Sequence, residues 1–185
     1  MATSEPTPLH IDQTTVFSLL GTVAVLATAY AFSLRVLPTH SGRKARVLFV
    51  WHLFDALIHA IFEGSFLWNC FFAHAPRDPA AQSTRALLPP GVHFLGARDR
   101  TYGAAHGAGA FAALWREYAR ADARWAGTDL AVVSLELLTV CVGAPLALWC
   151  ADMVRRGEWD ARRGREGRKW FWMTVLATGE LYGGQ

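Results

Sequence analysis

A chain of 185 residues that is 52% apolar, with eight Trp and eleven Phe, carries too little charge for a disordered segment. Its apolar residues gather into blocks of roughly 20, each able to cross a hydrocarbon layer about 30 Å thick, which argues against an ordinary soluble globule. The net charge of +3 does not point to nucleic acid: the arginines sit between the apolar blocks, with no continuous basic stripe or interleaved stacking aromatics, and read as topology charges.

The head of the chain, Met1 to His10, has no basic n-region, and the block after it is longer than a cleavable apolar segment, so it reads as a retained anchor. Residues 13–34 are uncharged and extend about 33 Å as a helix, the first predicted transmembrane segment. The next loop holds Arg35, Arg43, Lys44 and Arg46 against no acid, which places it in the cytosol. Residues 47–75 form the second predicted span, which His52, Asp55, His59 and Glu63 interrupt; these four must face protein or water. Residues 76–109 read as an extramembrane loop, since Pro89-Pro90-Gly91 forbids a continuous helix. Within and beyond it, Thr101 to Leu114 is apolar but too short to span, and is predicted as a shallow or re-entrant helix.

Residues 130–151 are the third predicted span, interrupted by Glu136, with Pro145 the place for a bend. Arg155 to Lys169 is a second basic, cytosolic loop. Residues 170–182 begin a fourth apolar block, and a sequence that stops at Gln185 reads as truncated. The expected fold is a single all-α domain over residues 1–185, a polytopic membrane helix bundle. Cys70, Cys141 and Cys150 lie in apolar stretches without C-x-x-C spacing and read as small core residues.

On a helix advancing 100° per residue, His52, Asp55, His59 and Glu63 fall at about 0, −60, −20 and +20 degrees, one narrow face. His59 and Glu63 are an i,i+4 pair, so the carboxylate can hold one ring nitrogen, raise the basicity of the imidazole and leave the other nitrogen to exchange a proton. Two other readings of this face stand beside that one. The groups can satisfy one another as polar glue between helices. They can also ligate Zn²⁺ or Fe, although no second ligand-bearing helix is evident and no E-x-x-H recurs. Glu136 and Thr139 share one side of the third span; a carboxyl at that depth costs about 2.5–3.5 kcal/mol and calls for a partner, which the His59 face supplies. Trp115 to Trp125 alternates charges with aromatic rings, as an interfacial belt does, and Glu117 and Tyr118 there can also cap a lipid-filled cavity.

Four ordered motifs resemble those of the emopamil-binding proteins, an EXPERA-domain family of sterol Δ8–Δ7 isomerases, and specifically their fungal branch. They are Ile58-His59-x-x-x-Glu63-Gly64, Leu114-Trp115-Arg116-Glu117-Tyr118-Ala119-x-x-Asp122-x-Arg124, Glu136-x-x-Thr139 with Pro145-Leu146-x-Leu148-Trp149, and Gly179-Glu180-Leu181-Tyr182-Gly183. The resemblance implies five transmembrane helices, four of them present here and the last beyond Gln185, around a sterol-shaped cavity. It implies an endoplasmic reticulum membrane location, no metal and no organic cofactor. The implied reaction protonates the ring olefin at C9, passes through a carbocation at C8 and removes a proton from C7. By the same resemblance His59, Glu63 and Glu136 are the acid/base set, and Thr139, Glu117, Tyr118, Asp122 and Trp149 contact substrate. The expected partner is a sterol, not nucleic acid, and a homodimer is compatible with the pattern. His52 and Asp55 fall outside these motifs. The rival readings are a non-catalytic sterol or amine binder and an isomerase of another polycyclic terpenoid.

Overall fold

Among the described residues of the computed structural model, three helices are long and apolar enough to cross a membrane: Gln13–Val36, Arg43–Phe72 and Leu130–Arg155. The structure describes residues 13–77, 87–157 and 166–183. The expectations for the head of the chain, for the middle of each of the 76–109 and 155–169 loops, and for the last two residues lie outside the described residues.

The first helix, α1 (Gln13–Val36), satisfies its few hydroxyls internally: Ser18 donates to the Thr14 carbonyl at 2.6 Å, Thr22 to Ser18 at 3.0 Å and Thr28 to Ala24 at 2.8 Å. Such back-bonding lets a polar side chain sit in a lipid-facing helix. Phe17, Leu19, Leu20 and Val23 point outward and are exposed, an apolar surface that suits hydrocarbon. The helix ends at Pro38, whose ring excludes the preceding residue from the helical region. Buried Ser33 then receives a hydrogen bond from Arg46 of the next helix at 3.3 Å.

The second span is α2 (Arg43–Ile58), a wide π turn (His59–Glu63) and α3 (Gly64–Phe72). The third repeats the pattern with α5 (Leu130–Leu138), a π turn (Thr139–Gly143) and α6 (Ala144–Arg155). The Asp129 side chain caps α5, accepting from Ala131 N at 3.0 Å and Val132 N at 3.1 Å. Pro145 lies in the first turn of α6, directly after the wide turn. A proline inside a helix lacks one donor and crowds the carbonyl four residues back, and an i→i+5 turn relieves both, so here the bend expected at Pro145 takes the form of a π turn.

Between the second and third spans, β1 (His74–Pro76) and β2 (Arg100–Tyr102) form an antiparallel pair, His74 facing Tyr102 and Pro76 facing Arg100. The fold is therefore mostly helical, with this one short strand pair among the described residues. Gly103 follows with φ 130°, and a Cβ there would strike the Gly127 backbone. The helix expected over Thr101–Leu114 is not formed as such: its first part is β2 and a short 3₁₀ turn (Ala104–His106), and only at Ala110 does a helix, α4 (Ala110–Ala121), begin. Trp115 on it is buried, stacks on Trp125 at 5.0 Å, meets Phe66 edge-on at 5.3 Å and donates to Ser65 Oγ at 2.9 Å. The last helix, α7 (Glu166–Gly183), packs on α6 but is not among the three long apolar ones, since it carries Glu166, Arg168, Lys169 and Glu180.

Two separate apolar cores hold the bundle. One, beside the basic loops, joins Leu37 and Phe49 to Ala147, Cys150, Val154 and Met173. The other, at the far end, joins Phe66, Cys70, Leu114, Trp115, Val132 and Val133. Cys70 and Cys150 fill these cores, whereas Cys141 is exposed on the outside of the third span, contrary to its reading as a core residue. Both π turns fall at the level between the two cores, and they touch each other.

Candidate active site

An α-helix carries residue i+4 40° past residue i, and a wider turn reduces that offset. The π turn that begins at His59 thus aligns the imidazole with Glu63, and Nδ1 and Oε2 lie 2.6 Å apart. On the other side of the ring, Nε2 lies 3.4 Å from Asp55 Oδ1. His59 is therefore bracketed along its own helix by two carboxylates four residues away in each direction. It is 8% exposed and turned inward.

The third span supplies the opposite wall. Glu136 is 5% exposed, and Thr139 donates to its backbone carbonyl at 3.1 Å and stands 3.3 Å from Oε2. The two π turns touch, so Glu63 of the second span and Glu136 and Thr139 of the third come together beside His59. Gly143, one turn beyond Thr139, leaves room for the ring: a Cβ built there would come 3.8 Å from His59 Cδ2. The wide turns thus bring an imidazole and carboxyls from two spans into one buried junction. π turns concentrate at functional sites because an extra residue per turn re-aims side chains.

The remaining predicted site residues lie elsewhere. Glu117 pairs with Arg120 at 2.9 Å, and Asp122 pairs with Arg124 at 2.6 Å and caps the short helix Ala123–Ala126. Tyr118 is exposed and packs on Trp115 and Trp125. These contacts build the interfacial segment on itself. Trp149 is 56% exposed and lines, with Cys141, Val142, Pro145, Leu146 and Trp172, an apolar groove of about 370 Å³ between the third span and α7.

Glu180 was not among the residues expected at the site. It reaches from α7 to Asp55 and His59, and ligating atoms of the three lie within 4.8 Å of one another. The available signal was a carboxyl in an apolar block, the same one that marks Glu136. His52 is also buried on this face, with Nδ1 lacking a hydrogen-bond partner.

Residues 110–185, which include Glu136, Thr139 and Glu180, match the family model described as EBP: EXPERA (EXPanded EBP superfamily). Over this C-terminal stretch the chain is similar to the EXPERA superfamily. Among curated proteins it is similar to the 3-beta-hydroxysteroid-Delta(8),Delta(7)-isomerase of Rattus norvegicus, 23% identical over 167 residues, which is 90% of this chain and 55% of that protein. The Mus musculus protein of the same name is 24% identical over 168 residues, with the same shares covered. The Cavia porcellus one is 23% identical over 170 residues, 92% of this chain and 56% of that protein. The chain spans about half the length of the curated relatives it matches.

Proposed function

We propose that this protein is a multi-pass membrane isomerase that shifts the Δ8 double bond of a sterol to Δ7. A proton is added at C9, the carbocation forms at C8, and a proton leaves C7, so the reaction consumes no net acid. The observation that carries this reading is the buried junction at which the His59–Glu63 pair of the second span meets Glu136 of the third. Proton transfer needs donors and acceptors close to one another and away from bulk water, and the His59–Glu63 contact and the burial of His59 and Glu136 support the reading.

In this reading His59, Glu63 and Glu136 are the acid/base set, with Glu63 acting through the imidazole it holds. A cation developing in an apolar chamber is stabilised by fixed anions and aromatic faces, and the same carboxylates supply the first. Thr139 orients Glu136. Glu117, Tyr118 and Asp122 form the rim, and Trp149 receives the apolar ring system in the groove beside the third span. The basic loops face the cytosol across the endoplasmic reticulum membrane, with α7 as a fourth transmembrane helix of five. The relatives' names support the substrate class.

The test is to incubate membranes containing the full-length gene product with a Δ8-sterol in deuterated water. A Δ7 product bearing deuterium at C9 is expected; the absence of product and of label would reject the proposal.

A further inference from the structure

We propose that Asp55, His59 and Glu180 form a binding site for a divalent cation of the Zn²⁺ class, joining the second span to the last helix. One ligand atom from each lies within 4.8 Å of the others. His59 Nε2 and Asp55 Oδ1, at 3.4 Å, already have the separation of two ligands on a tetrahedral ion with bonds of about 2.0–2.2 Å. The set closes on an ion by a movement of up to about 1.4 Å in the Glu180 side chain, which is long enough to make it.

Three further observations point to an ion. First, Nε2 of His59, Oδ2 of Asp55 and Oε1 of Glu180 are each buried without a hydrogen-bond partner, and His59 as a whole is 8% exposed. Second, the other ring nitrogen is held by Glu63 at 2.6 Å, the carboxylate–histidine arrangement that fixes the tautomer and aims the free nitrogen at a metal. Third, four carboxyls, Asp55, Glu63, Glu136 and Glu180, gather around two imidazoles, His52 and His59. A doubly charged ion offsets that excess of carboxyls. The sequence lacked a second ligand-bearing helix, and α7 provides one.

One imidazole nitrogen with two carboxylate oxygens suits Zn²⁺ and disfavours Mg²⁺ and Ca²⁺, which prefer all-oxygen shells. The ion also takes the ring nitrogen that proton transfer through His59 uses. Resting on the isomerase reading, it follows that the metal-loaded and the catalytic forms exclude one another.

Metal-stripped protein purified in detergent is titrated with Zn²⁺ by calorimetry and with Co²⁺ by its visible absorption. One ion per chain is expected, with Mg²⁺ failing to displace Co²⁺ at equal concentration and a higher melting temperature in Zn²⁺. Asp55→Asn and Glu180→Gln, both isosteric, each weaken binding at least about tenfold, and Glu63→Gln weakens it about 10- to 100-fold through the orientation of His59. No saturable binding, binding indifferent to both isosteric substitutions, or equal displacement by Mg²⁺ would overturn the site. Turnover measured at full Zn²⁺ occupancy is expected to vanish; undiminished turnover would refute the exclusion. Failure to bind metal leaves the isomerase assay without Zn²⁺ unaffected, so the two proposals fail separately.

Discussion

Replacing Glu63 by Gln keeps the shape of the side chain and a hydrogen bond to His59 while removing the charge behind it. The His59–Glu63 contact of 2.6 Å is in the range of charge-assisted bonds, worth about 1.5–3 kcal/mol, whereas a neutral amide acceptor in the same place is worth about 1 kcal/mol. The difference, about 0.5–2 kcal/mol, converts to a fall in kcat of about 2- to 30-fold at 1.36 kcal/mol per decade. Glu63→Ala removes the whole bond and is expected to cost about 10- to 150-fold. KM should change little in the Gln variant, because the carboxylate acts through the imidazole. The assay is conversion of a Δ8-sterol to its Δ7 isomer in deuterated water, with product and label read by mass spectrometry and folding checked by size-exclusion chromatography. Wild-type turnover in both variants, or a Gln variant slower than the Ala variant, would refute the coupling of Glu63 to His59.

Glu136→Gln is expected to lower turnover about 10²- to 10⁴-fold, the usual worth of a positioned acid or base, while sterol binding persists; retained turnover would remove Glu136 from the acid/base set. Gly143→Ala should fold and bind normally, since the added methyl makes ordinary contacts with His59 at 3.8 Å, whereas Gly143→Leu should displace the ring and abolish turnover. Gly103→Ala places a side chain at φ 130° against the Gly127 backbone and should destabilise the protein by about 1–3 kcal/mol, seen as a lower melting temperature in detergent. Asp129→Ala removes the cap of α5 and should cost about 0.5–2 kcal/mol in the same measurement.

The helical character and the long apolar segments are legible because lipid-spanning helices need unbroken apolar runs, and those runs stand in the sequence. The inward placement of His59 and Glu136 follows from the same rule, since an ionisable group at that depth must turn from lipid. What periodicity misses is local geometry. A steady 100° step does not anticipate a wide turn, so the near alignment of His59 with Glu63 and the accommodation of Pro145 after Thr139–Gly143 come from the structure. The β1–β2 pair lies in a stretch of turns, where three-residue strands leave no periodic trace. Glu180 is visible as a charge in an apolar block, but its approach to Asp55 depends on how α7 packs, which spacing within one helix does not encode. Trp149 has the composition of a cavity residue and faces outward all the same, because an aromatic ring is stable against lipid as well as against protein.

The polar junction lies at a seam, with one apolar cluster above it and another below, each closed on its own side chains. Two self-contained packings can drift in composition independently, because a change of volume at one end need not be answered at the other. The seam has no such latitude: every residue there answers to a partner on another turn or another helix. Diversification of such a protein should therefore spare a thin equatorial band while both hemispheres wander.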